Sequence, residues 1–209
     1  MSACNGIANF VRLIGTSLKY KKDILPEGIK RDSSANLLTL CSDSDQDIAT
    51  GKGDFMVMEP SNCSDLDGLL KSRGGGILSE EEAWPVLKQL VQALADIKLK
   101  SIVHRDIKPG NVLVFSHEIS KRFLKDKAHG SYPQLDIKEY LQTCDLRAHR
   151  NHPYPFTFKV CDTGLAKHLE DGETTSTRTG TVGYLPPQVI YTEAYTHKGD
   201  VWGLGCTYF

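Results

Sequence analysis

Residues 104–111 place a carboxylate (Asp106), a cation (Lys108) and a carboxamide (Asn111) at fixed spacing, in the string His104-Arg105-Asp106-Ile107-Lys108-Pro109-Gly110-Asn111. A carboxylate can orient a hydroxyl and accept its proton. An ammonium can offset charge on a phosphoryl group in transfer, and an amide oxygen suits a hard divalent cation. That set of groups fits phosphoryl transfer. Taken singly, Asp106 has a second reading as a turn residue and Asn111 one as a strand cap. A second oxygen ligand, Asp162, lies fifty-one positions further on, so the reading depends on what brings the two together.

The elements around these residues supply an answer. Val112–Phe115 and Thr157–Cys161 are apolar, β-branched and aromatic runs; paired antiparallel, they bring Asn111 and Asp162 to the same end. A helix precedes the string. Ser79 and Glu82 suit an N-cap and its capping-box partner, and Leu87, Leu90, Val91, Leu94 and Ile97 follow at helical spacing. Pro85 would cost a backbone bond inside that helix, so the regular part is expected from Ala83. Asn9–Ile14 reads as a strand, and Gly74-Gly75-Gly76 as a loop without the spaced glycines of a phosphate cradle.

Two stretches exceed the ~12–15 residues beyond which structureless loops become uncommon, and they read as insertions. One lies near 19–54, with Lys19, Lys21, Lys22 and the acidic patch 42–47. The other lies near 116–156. In the latter, Ile137, Tyr140, Leu141 and Cys144 form a helical stripe with a capping pair at Asp136 and Glu139. A helix covering the protein's own core is the simpler reading, a docking helix the alternative.

Composition narrows the class. Hydrophobic residues make up 40% and charged residues 24% of 209, with formal net charge −1, as in an ordinary globular protein and with no electrostatic case for nucleic acid or a membrane surface. No apolar run has transmembrane length, and the start lacks a signal peptide's pattern. Six cysteines without Cys-x-x-Cys spacing point to a reduced compartment, cytoplasmic or nuclear, rather than to a zinc site or disulfide framework. His149 and His152 have no matching ligands.

The string 104–111 resembles the catalytic loop of eukaryotic protein kinases, His-Arg-Asp-x-x-x-x-Asn. Further segments resemble that family in its own order. Phe55-Met56-Val57-Met58-Glu59 is similar to the strand and hinge that grip adenine, with Met58 as gatekeeper. Asp162-Thr163-Gly164 is similar to Asp-Phe-Gly, and Gly180 to Gln188 to the end of an activation segment. Asp200-Val201-Trp202-Gly203-Leu204-Gly205 is similar to Asp-x-Trp-Ser-x-Gly. The resemblance implies an α+β, two-lobe fold, here partial: residues 1–58 from the small lobe and 59–209 from a large lobe. It also implies MgATP and a protein substrate with a Ser or Thr acceptor. Asp106 would orient and deprotonate the hydroxyl, and Lys108 would stabilise the transferred group. Asn111 and Asp162 would hold Mg²⁺, and Met58, Glu59 and Asp65 would contact the nucleotide. Lys108 and Thr181 follow the serine/threonine pattern, with Thr181 bridging Asp106 and Lys108. Thr177 aligns with the activating phosphosite, and Arg105 would pair with its phosphate. His104 is expected to pack and hydrogen-bond rather than catalyse, and Cys161 to be a buried filler.

Three departures qualify this. Thr163 stands where the family has Phe, and Gln188 where it has Glu. The glycine-rich loop and the strand lysine have no counterpart. An internal piece of a kinase domain is therefore expected, inactive by itself and with apolar surface exposed near Trp202. The alternatives are a pseudokinase-like interaction module, favoured by Thr163, Gln188 and the missing lysine, and a small-molecule phosphotransferase. The segments 180–187 and 200–202 argue against the latter.

Overall fold

A computed structural model describes residues 4, 6–16, 56–59, 61–74, 76–121, 136–148, 153–175, 179–192 and 194–208. Lys19, Lys21, Lys22, the acidic patch 42–47, Phe55, Gly75, His149, His152 and Thr177 lie outside these. The elements run β1 (Leu13–Thr16), β2 (Met56–Met58), α1 (Leu66–Ser72), α2 (Glu80–Lys98), β3 (Ile102–Val103), β4 (Val112–Ser116), α3 (Ile137–Thr143), β5 (Phe156–Val160), β6 (Lys167–His168), α4 (Pro187–Thr192) and α5 (His197–Tyr208). The class is α+β. The strands pair antiparallel as β1–β2, β3–β6 and β4–β5.

β4 and β5 alternate buried and half-buried residues, with Val112 opposite Val160 and Ser116 opposite Phe156. Their inward side chains, Val112, Val114, Phe158 and Val160, meet Val86, Leu90, Ala93, Leu94 and Ile97 of α2 in the larger core cluster. The outer edge of β5 is satisfied by other means. Val160 exchanges backbone bonds with Asn9 and Val11, Phe158 N–H donates to Gln89 Oε1, and Asn9 Nδ2 donates to Phe158 O. The strand expected at Asn9–Ile14 is thus divided. Asn9–Val11 lie along β5, and the regular strand is β1, bent by an irregularity between Leu13 and Gly15.

α2 begins earlier than Pro85 suggested. Ser79 and Glu82 form the reciprocal capping box, and the helix runs through Pro85. The cap fixes the first turn, and the buried face beyond Pro85 holds the rest, so one missing backbone bond does not set the boundary. In the insertion, Asp136 caps α3 through Lys138 N and Glu139 N. Leu141 is 2% exposed and Leu146, just beyond α3, 0% exposed, so this helix covers its own core. Val201 and Trp202 on α5 are 61% and 44% exposed, as expected near Trp202. Among the described residues no helix is long and apolar enough to cross a membrane.

Candidate active site

The loop between β3 and β4 is held first by its backbone. Asp200, 3% exposed in the first turn of α5, accepts His104 N–H at 2.7 Å on Oδ2 and Arg105 N–H at 2.8 Å on Oδ1. Arg105 sits at φ 71°, a left-handed conformation that favours glycine and is kept here by these bonds. α5 approaches closely because position 203 is glycine: a Cβ there would stand 2.9 Å from Ile107 O. His104 is fully buried, its Nε2 2.9 Å from Cys161 O and its Nδ1 accepting Asp106 N–H at 3.3 Å. It packs and hydrogen-bonds, as expected.

Four donors converge on the Asp106 carboxylate. Thr181 N–H and Oγ1–H donate to Oδ1 at 2.9 and 2.6 Å. Lys108 Nζ and Asn111 Nδ2 reach Oδ2 at 2.8 and 2.9 Å. Lys108 Nζ also donates to Thr181 Oγ1 at 2.7 Å, so the threonine bridges the two charges. Burial pushes the Asp106 carboxyl up, but the bonds from Lys108, Thr181 and Asn111 outweigh it and hold the group below the ordinary carboxylate range. A carboxylate offers about four lone-pair sites. The four donors thus fill these sites, with Lys108 half-exposed among them.

The β4–β5 register brings Asn111 and Asp162 to the same end, and Cys161 N–H donates to Asn111 O at 2.9 Å. Asn111 Nδ2 is committed to Asp106, which turns its amide oxygen, the atom a hard cation takes, to the other side. Asp162 is exposed, left-handed at φ 60°, and accepts Gly164 N–H at 3.2 Å. Both Asn111 and Asp162 carry oxygen donors of the kind a hard divalent cation takes. Cys161 is half-exposed rather than buried, because it follows the last inward residue of β5 and its carbonyl serves His104.

Met58 is buried at 4% exposure, opposite Leu13. The Glu59 side chain is occupied within the protein: Oε1 accepts Arg12 N–H at 2.8 Å and Lys159 Nζ at 2.7 Å. Asp65 caps α1 by accepting Gly68 N–H at 2.7 Å. Arg105 Nε donates to Leu165 O at 2.5 Å, and Nη1 is buried without a hydrogen-bond partner among the described residues.

Sequence reasoning named no role for two residues that the structure brings to this loop. Gly180, at φ 131°, lies against it so closely that a Cβ would meet Arg105 O at 2.6 Å. Tyr195 donates its hydroxyl to Asp200 at 2.9 Å. The signal for the first was a glycine just before Thr181. For the second it was a tyrosine five residues before Asp200. Thr175, just before the expected phosphosite in sequence, is 3% exposed and bridged to Tyr195.

The profile of the protein kinase domain matches residues 36–209. The chain is 33% identical over 131 residues to the serine/threonine-protein kinase RCK2 of Saccharomyces cerevisiae, covering 63% of this chain and 21% of that protein. It is 26% identical over 207 residues to the serine/threonine-protein kinase unc-51 of Caenorhabditis elegans, covering 99% of this chain and 20% of that protein. It is 28% identical over 162 residues to the serine/threonine-protein kinase cds1 of Schizosaccharomyces pombe, covering 74% and 26%. The chain thus aligns with 20–26% of the length of these relatives.

Proposed function

The chain belongs to the protein kinase domain family, and on that premise we propose that it carries the catalytic region of a serine/threonine protein kinase. The reaction is transfer of the ATP γ-phosphoryl group to a protein hydroxyl. The observation that carries the reading is the convergence of Thr181, Lys108 and Asn111 on Asp106. Asp106 accepts a hydrogen bond from the acceptor hydroxyl in place of Lys108, and takes its proton as the new O–P bond forms and the bond from the γ-phosphorus to the β,γ-bridging oxygen breaks, releasing ADP. Its depressed basicity suits late rather than early proton transfer. Lys108, once displaced, turns its ammonium to the transferred group. Thr181 holds Asp106 in place and lines the acceptor's approach. Asn111 and Asp162 would hold Mg²⁺, which offsets phosphate charge when bound, and Met58, Glu59 and Asp65 would contact the nucleotide, Glu59 and Asp65 with what their bonds to Arg12, Lys159 and Gly68 leave free.

Phosphorylation of Thr177 would give the buried Arg105 Nη1 an anionic partner and raise turnover in the complete protein, where that turnover is measured. Unchanged turnover in Thr177→Ala would refute this. The 209 residues contain no glycine-rich loop over the phosphates, and transfer by them alone is negligible. Robust transfer abolished by Asp106→Asn would overturn that statement.

The alternative, an interaction module without catalysis, draws on Thr163, Gln188 and an Asp162 carboxylate turned toward its own Gly164. Calorimetric titration separates the two. The kinase reading expects Mg²⁺-dependent ATP binding that Asp162→Ala removes. Binding that ignores Mg²⁺, or survives the substitution, favours the module.

A further inference from the structure

Thr175 and Tyr195 exchange both backbone hydrogen bonds, Thr175 N–H to Tyr195 O at 3.1 Å and Tyr195 N–H to Thr175 O at 2.9 Å. Lys167 Nζ adds a bond to Thr175 Oγ1 at 2.9 Å. Tyr195 is 2% exposed, packed with Val103, Leu169 and Val189 in the smaller core cluster. Its hydroxyl donates to Asp200 Oδ1 at 2.9 Å, the same oxygen that accepts Arg105 N–H. The ring needs the glycine beside it: a Cβ on Gly199 would stand 2.5 Å from Tyr195 Cζ. Real Cβ atoms do not approach that closely, and both partners are buried, so neither has room to yield.

These contacts form one connected path. It runs from the segment at Thr175, through Tyr195 and the Asp200 carboxylate, to the two amides immediately before Asp106. We propose that Tyr195 is a positioning residue that transmits the order of the 173–175 segment to the loop carrying Asp106. A hydroxyl on a buried carboxylate restricts where that carboxylate can sit, and the carboxylate is what fixes His104 and Arg105. The physical link stands on geometry alone; its meaning for catalysis rests on the kinase reading.

Amide NMR of the 209-residue chain without nucleotide tests the link. Tyr195→Phe keeps the ring and removes only the hydroxyl. The amide protons of His104 and Arg105 are expected to move upfield, since both lose alignment with a carboxylate. They should exchange at least tenfold faster, and Thr175 should exchange faster with them while the amides in the middle of α2 hold. Gly199→Ala, which displaces the ring and leaves the hydroxyl, should reproduce the pattern. Unchanged His104 and Arg105 signals in both variants overturn the proposal. Uniform loosening that includes α2 also overturns it, because Tyr195 would then be packing alone. No step uses ATP, so a wild-type chain that fails to bind nucleotide counts against the kinase reading and leaves this result readable.

Discussion

Asp106 gathers four hydrogen bonds, and each donor is matched to an acceptor that only a carboxylate supplies in full. Asp106→Asn turns one of those acceptors into an N–H₂ group facing Lys108 or Thr181. The expected cost at neutral pH is about 1–3 kcal/mol, the penalty for a buried group losing its partner. The pH dependence has a definite sign. A carboxyl whose folded-state pKa is depressed stabilises the fold fully above its ordinary value, and that contribution fades as pH falls toward the depressed one. Urea midpoints should therefore separate wild type from Asp106→Asn at pH 7 and converge below about pH 4. A separation that stays constant through that range would count against the arrangement. Asp106, Lys108, Asn111 and Asp162 were legible because each stands in a short string or at a strand end. Thr175 and Tyr195 were not, because nothing local distinguishes a buried threonine in a hydroxyl-rich run from an exposed one.

Among the elements, α1, the first turn of α2 and the end of α3 share one residue. Arg73, the C-cap of α1, donates to Glu82, to the Cys144 carbonyl and, at 3.4 Å, to Cys144 Sγ. Glu82 has a second attachment in the capping box, whereas the Cys144 carbonyl depends on the guanidinium. Arg73→Ala should therefore loosen α3 before α2. Limited proteolysis should cut within 136–148 several-fold faster, with a stability loss of about 1–3 kcal/mol. Cleavage that begins in α2 would place the joint elsewhere. The helix of α3 was readable from its stripe and from Asp136. The burial of Leu146 was not, since it follows the helix and has no period to report it. The Pro85 expectation failed because it weighed one lost bond without the cap and the packed face that hold the turn on either side.

At the scale of the molecule, the loop 104–111 is seated between two cores. Val103 belongs to the smaller cluster and Ile107 to the larger, so the residues between them are anchored from both directions. The α+β class and the kinase likeness were readable because the motifs recur in order. The joining of the cores through Tyr195 and Asp200 depends on contacts between distant positions, which no local pattern records. The β4–β5 ladder has a further consequence in chain entropy. Its partners are joined by about forty residues instead of a tight turn, and by the logarithmic law of loop closure that tenfold lengthening costs about 2 kcal/mol. Leu141 and Leu146, both buried, each return about 1.5–3 kcal/mol of burial, so the part of the excursion that folds back works against the cost of closure. The connection can then change in length and content while Asn111 and Asp162 stay in register, and the site is insulated from whatever is added beside it.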